Sequence, residues 1–340
     1  MADTGIELRL DGKRYGAWQQ VDVRESVDDL CASVTLAAAG PGIGDSMGLT
    51  ANTVVEVLVD GELASTVRID ALNRRVGATT HSIRLQARSL GRELVDCQYS
   101  KTLSGLKLGD IAKRLSATFK VPLRVDVDTA VVPHFSMQCE LPANALINAA
   151  RAANLLLYPT ADGGLVLTKP TDAAPVATLN YGEHIESYEV IDEFKLRFSD
   201  YVVKAFDFEN SAALKGAVKD PGISYFRPMH IVADRHGQTA GGCGSRAELE
   251  RNRRLARAHR IELDVPGWRH AGGLWAINTQ VRVVIPREGI DGAFLIGERA
   301  FSYDANGGEM THLQVMSREA FMGQETKRAK RGAGVRGRKK

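Results

Sequence analysis

Apolar and polar residues alternate with a period of two along most of the first hundred positions. Ile6, Leu8 and Leu10 alternate with Glu7 and Arg9 and run into the turn Asp11-Gly12, the pattern of a half-buried strand. Residues 21–24 and 32–37 form a second pair of strands around an acidic link. Residues 54–59 and 63–69 flank Asp60-Gly61-Glu62, and Asp-Gly supplies the positive φ angles that a tight hairpin needs. Residues 82–87, with Ile83, Leu85 and Ala87 on one face, complete the set. Short strands separated by turns predict a barrel-like unit over residues 1–98.

The period then changes. Leu108, Ile111, Leu115 and Phe119 form the stripe of an amphipathic helix. Val121-Pro122 ends it, because the residue before proline is driven out of the helical region. Leu123, Val125 and Val127 alternate as a strand, and a second helix begins near Pro142 with Leu146, Ile147 and Ala150 inward. Residues 155–158 and 165–169 are strands joined by the turn Asp162-Gly163-Gly164. Residues 99–172 therefore read as an α/β insert.

Strand character returns at residues 194–198 and 201–206, and again at 278–285, 293–303 and 309–316. Asp304-Ala-Asn-Gly-Gly308 links the last two. One helix interrupts this region, predicted from Arg246 to about Arg260, with Ser245 and Glu248 spaced as an S-x-x-E capping box. Residues 173–322 read as a second barrel-like unit, and 323–340 as a basic flexible tail. The fold class is mainly β with an α/β insert: two β-barrel-like domains plus a small α+β domain. The two β regions read as copies of one barrel type, without a repeat at the level of residues.

Composition is that of a globular chain: 340 residues, 44% hydrophobic and 25% charged. No apolar run approaches the roughly 20 residues that span a bilayer, and the first residues lack the basic and apolar regions of a secretory signal. The expectation is a chain made and folded in a cytoplasm. Charge is unevenly placed. The tail carries Lys327, Arg328, Lys330, Arg331, Arg336, Arg338, Lys339 and Lys340 with no acidic residue. Removing these eight from the net charge of +3 leaves −5 for residues 1–326. The tail has too little apolar surface to order itself, and its eight cations are the candidate contacts for an anionic partner.

No motif assembles an active site. Cys31, Cys97, Cys139 and Cys243 are scattered and contain no C-x-x-C pair, so a zinc ribbon is excluded and buried free thiols are expected. His230 and His236 are the closest histidines, with only Asp234 beside them, too few ligands for a metal; no cofactor is expected. Gly241-Gly-Cys-Gly244 lacks the lysine of a P-loop and reads as a flexible loop entering the capped helix. That helix bears six arginines against two glutamates, with Arg246, Arg253, Arg257 and Arg260 on or near one face. A nucleic-acid surface would need those charges free; the preferred reading is a solvated face with intersubunit salt bridges. Asp126 with Asp128, and Glu183 with Glu186, are carboxylate pairs without a visible dry pocket to keep one protonated. Trp18, Trp268 and Trp275 read as core or interface anchors.

A family resemblance rests on motifs taken in order. The Asp11-Gly12 turn is followed by the strand around residues 18–23. Then come Leu155-Leu-Leu-Tyr-Pro159 with Asp162-Gly-Gly-Leu-Val-Leu-Thr-Lys169, Phe198-Ser-Asp-Tyr-Val-Val-Lys204, Tyr225-Phe-Arg-Pro228 and the arginine-rich helix. Val265-Pro-Gly-Trp268, Leu274-Trp275 and Asn278-Thr-Gln-Val-Arg-Val-Val284 close the series. In this order they resemble the baseplate hub proteins of contractile-tailed phages, above all the Mu-like ones, over residues 5–322; the tail lies outside the pattern. The resemblance implies a non-enzymatic structural protein of the virion tail, assembled in the host cytoplasm. It implies a ring-shaped homotrimer that adapts the sixfold tail tube to the threefold central spike and leaves a passage for DNA. The implied partners are further copies of the chain, the central spike protein, the tail tube and other baseplate proteins, with transient contact with DNA. Two other readings stay open at this stage: a tail-associated peptidoglycan hydrolase, and a nucleic-acid-binding module using the basic tail.

Overall fold

The computed structural model describes residues 5–16, 18–39, 49–79, 81–207, 212–232, 240–304 and 307–322. The first strands stand where the period-two pattern puts them: β1 (Ile6–Leu10), β2 (Lys13–Tyr15), β3 (Gln20–Ser26), β4 (Ser33–Ala39), β5 (Val54–Val59), β6 (Glu62–Val76) and β7 (His81–Ser89). Their alternate apolar residues, among them Ile6, Leu8, Val21, Val23, Val34, Leu36, Ile83 and Leu85, are buried. The β5–β6 hairpin turns on Asp60 and Gly61, both at positive φ (49° and 76°), the geometry that a two-residue turn between twisted strands requires.

The insert follows: α1 (Arg92–Asp96), β8 (Tyr99–Lys107), α2 (Leu108–Thr118), β9 (Leu123–Val125), β10 (Val131–Glu140), α3 (Pro142–Ala152), β11 (Leu156–Pro159) and β12 (Leu165–Thr168). It has its own core, in which Leu108, Ile111 and Leu115 of α2 meet Leu146 and Ala150 of α3, with Val121, Leu157, Leu165 and Leu167. Pro142 sits in the first turn of α3, where its missing N–H breaks no bond. The long antiparallel pair β8–β10 was not anticipated. Most of its residues are exposed on both faces, so it carries no period-two hydrophobic signal.

The remaining elements are β13 (Thr178–Asn180), β14 (Ser187–Asp192), β15 (Asp200–Asp207), β16 (Ala212–Lys219), β17 (Pro228–Val232), α4 (Ala240–Ala258), β18 (His259–Pro266), β19 (Arg269–His270), β20 (Gly273–Leu274), β21 (Gln280–Ile285), β22 (Ile290–Asp304) and β23 (Gly308–Met316). Strands β15, β16 and β17 form a separate sheet packed on α4 around Tyr201, Val203, Cys243 and Ala247. Two local expectations are corrected. Residues 194–198 are not a strand: Phe194–Leu196 is a 3-10 turn, closed by Leu196 N–H to Glu193 O at 3.0 Å and Arg197 N–H to Phe194 O at 3.1 Å. Helix α4 begins at Ala240, so the glycine run is helical and Ser245 lies inside the helix, not at its cap. Its first turns are held by tertiary packing. A Cβ on Gly216 of β16 would stand 2.2 Å from the Gly244 nitrogen, so strand and helix backbones are in direct contact there.

The main sheet carries a hidden repeat. Its 13 strands run β14-β18-β23-β22-β3-β4-β7-β6-β5-β1-β2, with β21 on β22 and β13 on β21. The first unit is thus ordered β3-β4-β7-β6-β5-β1, and the second β14-β18-β23-β22-β21-β13. Numbered by appearance in the chain, six strands of each unit follow one order, 2-3-6-5-4-1. The fifth strand is 15 residues long in both, and each bulges near the same place, between Ile69 and Ala71 or between Ile296 and Glu298. One difference is that β13 pairs with β21 in parallel, whereas β1 pairs with β5 antiparallel. The expected barrels do not close among the described residues, because β22 continues past β21 and pairs with β3 of the first unit. The units are therefore fused into one open sheet over one hydrophobic core.

Candidate functional site

The seam between the units is the antiparallel ladder from Glu298↔Ser26 to Asp304↔Gln20. Here Arg299 of β22 faces Glu25 of β3 in register. Both are buried, at 2% and 7% exposure, and their ion pair measures 2.5 Å. Burial pushes the Glu25 carboxyl above its ordinary value, and Arg299 opposes that only in part. The Arg299 guanidinium also lies 3.9 Å from the centre of the Phe301 ring. On the opposite face, Arg24 donates to Glu298 at 3.1 Å. Trp18 and Trp268 are fully buried in the core, donating their indole N–H to Tyr15 O (3.0 Å) and Ser302 O (3.1 Å).

A second junction joins three parts of the chain. Asp28, just beyond β3, accepts hydrogen bonds from Arg151 of α3 (3.0 Å) and from Arg257 of α4. Arg253 lies beside them, 8% exposed, and burial, then the neighbouring Arg151 and Arg257 charges, push its pKa down to about 9. The rest of α4 is also tied inward. Arg254 donates to Glu250 at 2.7 Å and stacks over Phe198, and Arg260, just after the helix, pairs with Glu193 at 3.2 Å. The arginine-rich face expected to be solvated is instead a bracket between the sheet, the insert and the β15–β17 sheet. Helical spacing gathered those arginines onto one face, but only long-range folding supplies Asp28, Arg151 and Glu193.

The eight tail residues Lys327, Arg328, Lys330, Arg331, Arg336, Arg338, Lys339 and Lys340 lie outside the described residues, as does His236. Among the described residues no cluster of His, Cys, Asp or Glu could hold a metal. Asp126 is paired with Arg124 (2.9 Å) and Asp128 with Lys107 (2.7 Å). Lys107 holds Asp128 below its usual carboxylate range, the opposite of what a general acid needs. Glu183 accepts from Asn180 at 2.9 Å and is exposed. The four cysteines are free, and burial pushes the Cys31 thiol up to about 12, which makes it a poor nucleophile.

The overall fold is shared with solved phage tail proteins. The 43 kDa tail protein of prophage MuSo2 from Shewanella oneidensis matches it with a TM-score of 0.84 at 25% identity, over 93% of this chain and 99% of that one. The tail protein from Neisseria meningitidis MC58 shares the fold, with a TM-score of 0.81 at 22% identity, over 92% of this chain and 96% of that one. Three family profiles match in turn: the N-terminal region of the Mu phage baseplate assembly protein GpP-like family at residues 5–89, the second domain of the gp44-like baseplate hub protein at 92–169, and the fourth domain of GpP at 239–324. Baseplate hub protein gp44 of Escherichia phage Mu is 28% identical over 93% of this chain and 89% of its own length. The chain belongs to the baseplate hub proteins of Mu-like phage tails and is a structural component of the tail baseplate.

Proposed function

We propose that three copies of the chain form a ring at the centre of the baseplate, adapting the sixfold tail tube to the threefold spike and leaving a passage for DNA. The observation that carries this reading is the repeated strand order of the two units. Three chains bring six such units, so one ring offers six similar faces on one side while keeping true threefold symmetry for the other. The −5 charge of residues 1–326 suits a passage that must not retain a polyanion. The partners are the spike, the tube and neighbouring baseplate proteins, with assembly in the host cytoplasm. The basic tail takes an acidic baseplate surface or DNA.

The role is mechanical, not catalytic. Asp126 and Asp128 are neutralised by neighbouring cations, and the Glu25 carboxyl is consumed by Arg299 inside the sheet. Electron microscopy of the purified protein tests the reading. Rings with threefold symmetry and six lobes around a central opening are expected; compact particles without an opening would overturn it.

A further inference from the structure

The strand repeat makes the seam between the two units a template for the contact between chains. Within one chain, the edge strand of the first unit, β3, pairs with the far half of the fifth strand of the second unit, β22. The equivalents of these two surfaces are both left open among the described residues. The edge strand of the second unit, β14, pairs only with β18. The far half of the first unit's fifth strand, beyond Ile69 of β6, pairs only with β7. Unpaired N–H and C=O groups along such edges invite another strand.

The registers fix the correspondence residue by residue. Val34 faces Ala87 and Val23 in the first unit, as Ile261 faces Val315 and Val190 in the second. Val23 therefore corresponds to Val190, Asp22 to Glu189 and Val21 to Tyr188. Counting from the same Ala87 and Val315, Ile83 corresponds to Thr311; Arg74 faces the first and Phe301 the second. Hence Arg74, Arg75 and Val76 correspond to Phe301, Ser302 and Tyr303. In the seam, Phe301 pairs with Val23, Ser302 with Asp22 and Tyr303 with Val21.

The geometry points to an antiparallel ladder between neighbouring chains, in which β14 of one copy adds to β6 of the next with Arg74 opposite Val190, Arg75 opposite Glu189 and Val76 opposite Tyr188. This rests on the ring reading above and specifies its contact. The chemistry fits the register. Arg75 and Glu189 are both exposed, and neither side chain has a hydrogen bond or ion pair among the described residues; in the ladder they become a cross-strand pair of opposite charge. Val76 is 70% exposed in the single chain and gains the Tyr188 ring as its neighbour. Residues 181–194 hold five carboxylates and no lysine or arginine, whereas residues 71–84 hold three arginines and no carboxylate. An acidic edge thus meets a basic one. The contact is head-to-tail, so it forms a closed ring only if three copies complete the rotation.

Disulfide trapping tests the ladder. Directly opposed residues of an antiparallel pair have Cα atoms within the reach of a disulfide, and diagonal ones do not. In a Cys139→Ser background, which removes the exposed native thiol, the pair Arg75→Cys with Glu189→Cys is expected to give a covalent trimer on oxidation. The displaced pair Arg75→Cys with Ser187→Cys is expected to give none. In the same background, Glu189→Arg should raise the concentration for half-assembly by tenfold or more, and adding Arg75→Glu should restore it. A protein that is trimeric by mass but gives no crosslink at 75 and 189, with no rescue by the double reversal, overturns the ladder and leaves the ring standing. A parent protein that is monomeric overturns the ring as well.

Discussion

Arg299 and Glu25 face each other across the ladder that fuses the two β units, and neither is more than 7% exposed. Removing one partner of a buried ion pair strands the other charge in an apolar setting, which costs about 3–5 kcal/mol. Arg299→Ala is therefore expected to lower stability by that order at neutral pH, measured by chemical denaturation. The raised Glu25 pKa gives the sign of the pH dependence. A carboxyl whose folded pKa lies above its unfolded value contributes stability below the unfolded value and loses it as pH rises through the folded one. The Arg299→Ala deficit should thus shrink toward acid, as Glu25 takes up its proton. Glu25→Leu combined with Arg299→Met should recover most of the loss, since a well-packed apolar pair replaces the ions at little or no cost.

Gly216 marks the contact between β16 and α4. Any side chain there meets the backbone of Cys243 and Gly244 at 2.2–2.6 Å, and backbone atoms cannot rotate away. Gly216→Ala should cost roughly 1–3 kcal/mol or more. Hydrogen exchange should report the loss locally, in α4 and β15–β17, with β3–β7 unaffected. Uniform loss of protection throughout the main sheet would show that this unit is not a separate packing element.

Asp220 supplies an acid-sensitive tie in the same unit. It is 4% exposed, accepts two hydrogen bonds from Arg197 at 2.7 and 2.9 Å and one from the Gly222 N–H at 2.9 Å. Burial alone would raise its pKa, but the Arg197 bonds, the Gly222 amide and the Arg197 charge outweigh it and hold the pKa below the ordinary value. A depressed folded pKa means stability that is present above the unfolded value and lost as pH falls through the folded one. Asp220→Asn should be less stable by roughly 2–3 kcal/mol at neutral pH. The two proteins should converge in strong acid, below the folded pKa; a gap that persists there would assign the effect to packing instead of charge.

Alternation at period two made the strands of the first unit and β21, β22 and β23 of the second legible, as at Ile6–Leu8–Leu10 and Val281–Val283, because each has one face on the core and one in water; β13, β14 and β18 of the second unit were not read. The helical stripe of α2 was equally plain. The β8–β10 pair was not, since most of its residues are exposed on both faces and leave no pattern. The start of α4 was misplaced because S-x-x-E at Ser245 mimics a cap, while the true start depends on Gly216, far away in the chain. The strand order escaped for a related reason: pairing across hundreds of residues, as between Glu25 and Arg299, has no local signature. The family resemblance identified the hub, but the seam and the Asp28 bracket needed the folded chain.

The central claim, that this hub works as a three-chain ring, is tested most directly by the solution mass of the purified protein. Sedimentation equilibrium at micromolar concentration should give three times the chain mass of 36.9 kDa. A mass of 36.9 kDa that stays constant across that range would contradict it.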